Sequence, residues 1–394
     1  PFSGLNNIMR DRLGHFWYTS DGFGLWYSEE FPEKITDFEK VTSVGENKLD
    51  YSKIYCILET LNGDIWIGTQ SEGALRFSPN VEEQVVLSKY LNYPYRISTA
   101  FTETKDGKMY VASDGEGFCL MDAEAMEYRL FDEKDGLSNH NVVEIAADCN
   151  GDIWIATWGG GIFFYSPKKG KVEHVTFSPL NSNLNCFISI TTTKDGEVWA
   201  SSGGDGLYVR NVNGEWYKKV LSFSPGEDDM WPSGVVEGEP GVRWVFTSRS
   251  LWRIQGDDMR PLLGDFSKQM THTPIAINSI VCDRNNYLWV ASTHGILRFN
   301  PDATHCDTIK SLPLQEYTSV IFNGENQIIA NSATDVYFID IETHQAEKYF
   351  YDFGKMGMSG FSFYGSFLRS DNVLFCSTSD GFIMIKPIKS DKDE

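Results

Sequence analysis

Acid–base catalysis needs a histidine and a carboxylate within hydrogen-bond reach of one reacting group. The histidines of this chain, His15, His140, His174, His272, His294, His305 and His344, are scattered along 394 residues. His140 and His294 nevertheless fall in loops of one face, and a closed ring would carry both toward one axis. Such a pair, with a carboxylate, would suit a lyase or a glycoside-active enzyme. No local signature supports that alternative: the Gly-x-Ser-x-Gly elbow, His-Glu-x-x-His, the P-loop and the dinucleotide fingerprint are all missing. The glycine-rich stretches Trp158-Gly159-Gly160-Gly161 and Gly203-Gly204-Asp205-Gly206 lie between short strands. A phosphate cradle requires a following helix. The seven cysteines, at 56, 119, 149, 186, 282, 306 and 376, include no Cys-x-x-Cys pair, and their odd number leaves at least one thiol free. No catalytic residue, metal or cofactor is predicted.

Recognition is the chemistry that fits better. A sugar offers apolar ring faces for aromatic stacking and hydroxyls for hydrogen bonds. Aromatic, Arg, His and acidic residues recur in the loops that join the second strand to the third, and the fourth to the next first. Tyr95, Arg96, Asp114, His140, Trp158, Asp205, Trp231, Arg249 and His294 form the predicted ligand-binding set. For any one of them, a solvated or packed loop residue is the simpler reading. The case rests on their sharing one face.

That face exists only if the chain is built from repeats, and it is. A Gly or Asn turn recurs at positions 14, 63, 107, 151, 196, 241, 286, 326 and 372, about every 45 residues. Each turn is followed by a short strand centred on a large residue, a loop, and another strand. In residues 142–175, four strands follow in order: Val142 to Ala146, Ile153 to Ala156, Ile162 to Tyr165 and Val172 to Val175. Four short strands per unit is the mark of a β-propeller blade. Blade motifs fall near 5–40, 54–90, 97–131, 142–177, 186–221, 234–263, 279–310, 317–350 and 361–388. The fold class is therefore all-β, a propeller of about nine four-stranded repeats over 1–394.

Tryptophan occupies the centre of the second strand at 17, 66, 154, 199, 244 and 289, with Tyr110 standing in once. A ring at one fixed place in every repeat is expected to fill the wedge between neighbouring blades rather than to stack on a sugar. The recurring turn acids Asp11, Asp106, Asp148, Asp195 and Asp283 are expected to cap their turns.

The formal net charge of −21 disfavours nucleic acid, because phosphate binding depends on surplus Lys and Arg. No run of apolar residues is long enough for a membrane helix. The opening Pro1-Phe2-Ser3, without Met or a signal-like segment, suggests a processed or trimmed piece.

The pattern Asp-x-x-Gly-x-hydrophobic-Trp-hydrophobic-x-Thr/Ser, then Gly-hydrophobic-x-x-hydrophobic, resembles the two-component-regulator propeller repeat. It is carried by Leu61 to Phe77 and Asp148 to Tyr165, by the linker Asp135-Gly136-Leu137-Ser138-Asn139-His140-Asn141-Val142, and by the ending Gly365 to Pro387. The resemblance covers essentially the whole chain. It implies the periplasmic (or extracellular) sensor region of a Bacteroidetes hybrid two-component system, a non-catalytic domain that recognises a glycan or its breakdown product. It also implies a membrane-linked kinase outside this chain as the partner in signalling, with a small-molecule or oligosaccharide ligand; a homodimer is a further expectation.

Such family members carry two seven-bladed rings, whereas nine motifs are present here. Either the chain forms one large ring, or it holds a seven-bladed ring plus two blades of a neighbouring one. The absence of any linker between units favours the single ring. The last unit lacks a fourth strand of its own, so closure needs Pro1 to Gly4 or some other strand. A protein–protein scaffold is the remaining alternative, and the apolar run from Phe350 to Phe363 is the segment to examine for it.

Overall fold

Two local devices recur among the repeats. The turn between the first and second strands needs one residue at positive φ, which costs most L-residues about 1 kcal/mol or more. Gly151 supplies it at 80° and Asn286 at 61°. The turn acid then accepts the indole N–H of the tryptophan six residues on. Asp11 Oδ2 receives Trp17 Nε1 at 2.8 Å, Asp148 Oδ2 receives Trp154 at 3.2 Å, and Asp283 Oδ2 receives Trp289 at 2.9 Å. Trp199 uses Glu197 instead, at 2.9 Å. The same Asp283 also caps the backbone amides of Asn285 and Tyr287, so one carboxylate holds both the turn and the ring.

The computed structural model describes residues 5–11, 14–20, 24–28, 31–34, 37–41, 43–44, 47–49, 53–60, 65–70, 73–77, 85–87, 93–122, 125, 127–176, 185–222, 230–262, 275–349, 361–378 and 381–385. The run from Phe350 to Gly360, Pro1 to Gly4 and His272 lie outside them. The chain divides into two compact units, Pro1–Gln84 and Val85–Glu394.

The first unit holds a four-stranded sheet (Leu5–Arg10, Phe16–Ser20, Gly24–Ser28, Glu39–Val41) and a three-stranded one (Ile54–Glu59, Ile65–Thr69, Ala74–Phe77). Trp17, Leu25, Leu49, Ile54, Ile65 and Ile67 form its core.

The second unit contains seven four-stranded antiparallel sheets among the described residues. Blade one runs Ala100–Glu103, Met109–Ser113, Gly117–Asp122, Glu127–Phe131. Blade two runs Val142–Ala147, Ile153–Thr157, Gly161–Ser166, Lys171–Val175. Blade three runs Phe187–Thr192, Val198–Ser202, Gly206–Arg210, Trp216–Lys219. Blades four, five and six begin at Pro232–Glu237, Ile277–Cys282 and Tyr317–Phe322. Blade seven comprises Phe361–Leu368, Leu374–Thr378 and Gly381–Ile385, and its outer strand is Val85–Leu87. Val85 pairs with Ile385 and Leu87 with Ile383.

This pairing replaces the nine-bladed ring. The fourth strand that chain order would give to the repeat at 54–90 is donated to the last repeat. Blade seven then packs directly on blade one: Phe101, Met109 and Val111 share a core cluster with Phe375, Phe382 and Met384. Ser98 Oγ also donates to Gly381 O at 2.7 Å. The ring closes at seven, and the first two repeats belong to the other unit. The missing fourth strand of the last repeat was legible; its donor is Val85–Leu87 and not the N-terminus.

The repeated tryptophans of the second unit pack between blades, whereas Trp66 of the first unit, expected to do the same, is 38% exposed. Trp154 of blade two clusters with Phe187 and Ile190 of blade three. Trp199 joins Val235 and Val245 of blade four, Trp244 joins Ile277 and Ile280 of blade five, and Trp289 joins Tyr317 and Val320 of blade six. Trp289 is 0% exposed. Truncating it to Ala is expected to cost about 3–5 kcal/mol in urea unfolding. A loss below about 1 kcal/mol would refute the wedge role.

Side chains also lace neighbouring inner strands together. Thr102 Oγ1 accepts the Ala147 amide at 2.9 Å, and Glu144 Oε2 accepts the Ile190 amide at 2.9 Å. Burial pushes the Glu144 carboxyl up to about 7, against the pull of its bonds with Ser189 and Ile190. The folded ring thus keeps a proton that the unfolded chain releases near 4.5. Stability from this group is full below that value and is lost as pH rises through 7, by on the order of 3 kcal/mol. Glu144→Gln should flatten the dependence between these limits. Parallel urea midpoints of both proteins across the range would refute it.

Candidate functional site

On one rim of the second unit, the second-to-third-strand loops of blades one, two, three, four and six pair with the segment leading into the following blade. Trp158 bridges Cys186, and Asp114 bridges Asn141. Gly159 and Gly161 both donate to Asn185 O, and Gly204 and Gly206 to Met230 O. These loops can lie so close because glycine removes the side chain at the contact. A Cβ on Gly160 would meet Asn139 Cβ at 2.3 Å.

Two exposed tryptophans converge there. Trp158, in the loop of blade two, is 46% exposed, and Trp231, in the segment entering blade four, is 55% exposed. Gly203 of blade three lies between them. A Cβ on Gly203 would sit 3.2 Å from Trp231 Cζ3 and 3.4 Å from Trp158 Cζ3. One on Gly204 would sit 3.2 Å from Trp231 Cζ2. Two indoles from different blades therefore flank a bare glycine floor. Asn139, which donates to Trp158 O at 3.4 Å and accepts the Asn141 amide at 2.9 Å, holds the first ring's loop.

The other predicted residues divide. Asp114, Arg96 and Arg249 are exposed on the same rim. The Arg96 amide donates to Glu116 Oε2 at 2.8 Å, and the Arg249 amide to Thr247 Oγ1 at 3.1 Å. His140 is half-buried, with Nε2 lacking a hydrogen-bond partner among the described residues, while His294 Nδ1 meets Thr293 Oγ1 at 3.0 Å. His140 lies in the segment entering blade two and His294 in the second-to-third-strand loop of blade five.

Tyr95 and Asp205 are committed elsewhere. Tyr95 is buried, donates to Phe118 O at 2.9 Å, and has its phenol raised by burial and then by Cys119. Asp205 takes Lys218 Nζ at 2.8 Å and the Tyr208 hydroxyl. Burial alone would raise the Asp205 carboxyl; those two bonds outweigh it and hold it below the usual carboxylate range. Both residues shape the rim from beneath.

Sequence reasoning missed Gly203 as a floor. A signal was present: Trp158 and Gly203 occupy the same position in successive repeats, one step after Thr157 and Ser202. A large ring beside its own deletion is a recess.

No family profile and no curated protein matches the chain. Among solved structures, the extracellular domain of the putative hybrid two-component system BT3049 from B. thetaiotaomicron has a TM-score of 0.66 at 16% identity. The match covers 97% of this chain and 51% of that one. The fold is shared with two-component extracellular domains. The corresponding domain of BT4673 from the same organism gives 0.63 at 17% identity, covering 98% and 53%. This chain spans about half the length of each. A catalytically inactive virginiamycin B lyase from Staphylococcus aureus, with quinupristin, gives 0.58 at 13% identity, covering 75% of this chain and 97% of the lyase. Identities this low establish the propeller fold, and function must come from the site.

Proposed function

We propose that this protein is a non-catalytic ligand-binding propeller of the sensor type. It takes a glycan or glycan fragment between Trp158 and Trp231. The observation that carries this reading is the convergence of those two exposed indoles on Gly203. The C–H faces of a pyranose stack on indole rings, and a glycine floor lets the sugar reach the backbone. Arg96, Asp114, His140, Arg249 and His294 would line the approach from neighbouring loops. The shared fold with extracellular domains of two-component systems supports a place outside the cytoplasm and a membrane-linked kinase as the receiver. Occupancy would change kinase output only if the sugar binds two states of the assembly with different affinity.

The test is a thermal-shift and tryptophan-fluorescence screen against oligosaccharides, with each responding sugar recovered and analysed. A sugar that raises the melting temperature, changes indole emission and is recovered intact supports the proposal. A sugar that is cleaved makes the protein an enzyme, and a panel without response removes the glycan reading.

A further inference from the structure

The opposite rim carries a cavity that this function does not use. It lies between blades one and two, has a volume of about 400 Å³, and is lined by both first-to-second-strand turns and by Pro167 and Lys168. Its origin is legible in the repeat. Of the seven repeats of the second unit, four carry Trp at this place; blade one has Tyr110, blade six Ile329 and blade seven Phe375. The turn acid that would hold an indole N–H is there replaced by Thr104. A phenol is smaller than an indole, so the wedge is left partly open.

The lining is polar and incompletely satisfied. Tyr110 is 1% exposed and borders the cavity. Burial, then Tyr165 and Asp106, push its phenol up to about 12, so it remains a donor. Asp152 Oδ1 is buried and without a partner among the described residues. Lys108 and Asp106 neutralise one another at 2.6 Å. Lys105 and Lys168 have no ion pair among the described residues and line the same space. Set against Asp152, they leave one surplus positive charge.

We infer that this cavity is a second binding site, for a monoanionic, hydroxyl-bearing carboxylate of monosaccharide size, that is, a sugar acid. Lys105 and Lys168 take the carboxylate, Tyr110 donates to a ring or carboxylate oxygen, and Asp152 accepts from a hydroxyl. The volume lies within the range of small-ligand sites. The site is independent of Trp158 and Trp231, which lie on the other rim.

The test is calorimetric titration of the full chain with D-glucuronate, with D-glucose as the neutral control. Glucuronate is expected to bind and glucose not. Lys105→Ala with Lys168→Ala should weaken glucuronate at least tenfold. Tyr110→Trp, which introduces the residue that four other blades carry and fills the space, should abolish binding while the protein still melts cooperatively. If that variant does not fold, the lysine pair, both exposed, decides. Trp158→Ala should leave glucuronate binding unchanged. No glucuronate binding up to about 10 mM, equal binding of glucose, or wild-type affinity in the lysine variant overturns the inference.

Discussion

A chain beginning at residue 93 is expected to melt at least about 5 °C below one beginning at residue 80. The two differ by the strand Val85–Leu87, the outer strand of blade seven, paired with Gly381–Ile385. Losing it removes the ladder bonds of three residue pairs, worth about 1 kcal/mol each. It also bares the edge of a strand whose five residues are all buried. The combined loss is about 3–5 kcal/mol, and in a unit of this size each kcal/mol moves the midpoint by about 2 °C. The damage should centre on the seam between blades seven and one, where Phe101 meets Phe382 at a centroid distance of 5.5 Å. Hydrogen exchange would show it as lost protection in Leu374–Thr378 and Ala100–Glu103. Identical melting of the two truncated chains would mean that another strand closes the ring.

The second large effect is on binding. Trp158→Ala and Trp231→Ala together should weaken a bound sugar about 100-fold. Each indole contributes on the order of 1.5 kcal/mol through stacking and apolar burial, and 1.4 kcal/mol is a factor of ten. Both rings are about half exposed, so the melting temperature should scarcely move. Gly203→Val offers a complementary variant that keeps both rings. Its added methyls would occupy the space between Trp158 Cζ3 and Trp231 Cζ3. Binding should fall as far as in the double Ala variant. Wild-type affinity in both variants would place the sugar elsewhere on the rim and remove the site.

The sequence alone determined the unit of construction. The Gly or Asn turn, the acid that caps it and the tryptophan six residues later all act within about one hairpin, where local chemistry decides the outcome. Asp283, Asn286 and Trp289 were readable together for that reason, as was the packing role of the indole. What lay beyond a single repeat was not readable. Val85–Leu87 looks like the fourth strand of its own repeat, because the strand pattern records which residues pair but not with which partner. Only the competition between sheets, settled by the core that joins Phe101 to Phe375 and Phe382, gives that strand to blade seven and limits the ring to seven. The same holds at the rim. Tyr95 and Asp205 have the residue types of ligand groups, but Phe118 O, Lys218 and Tyr208 claim them. Trp158 and Trp231 come from separate repeats, and their meeting over Gly203 depends on the angle between blades, a property of the packed ring and of no single segment within it.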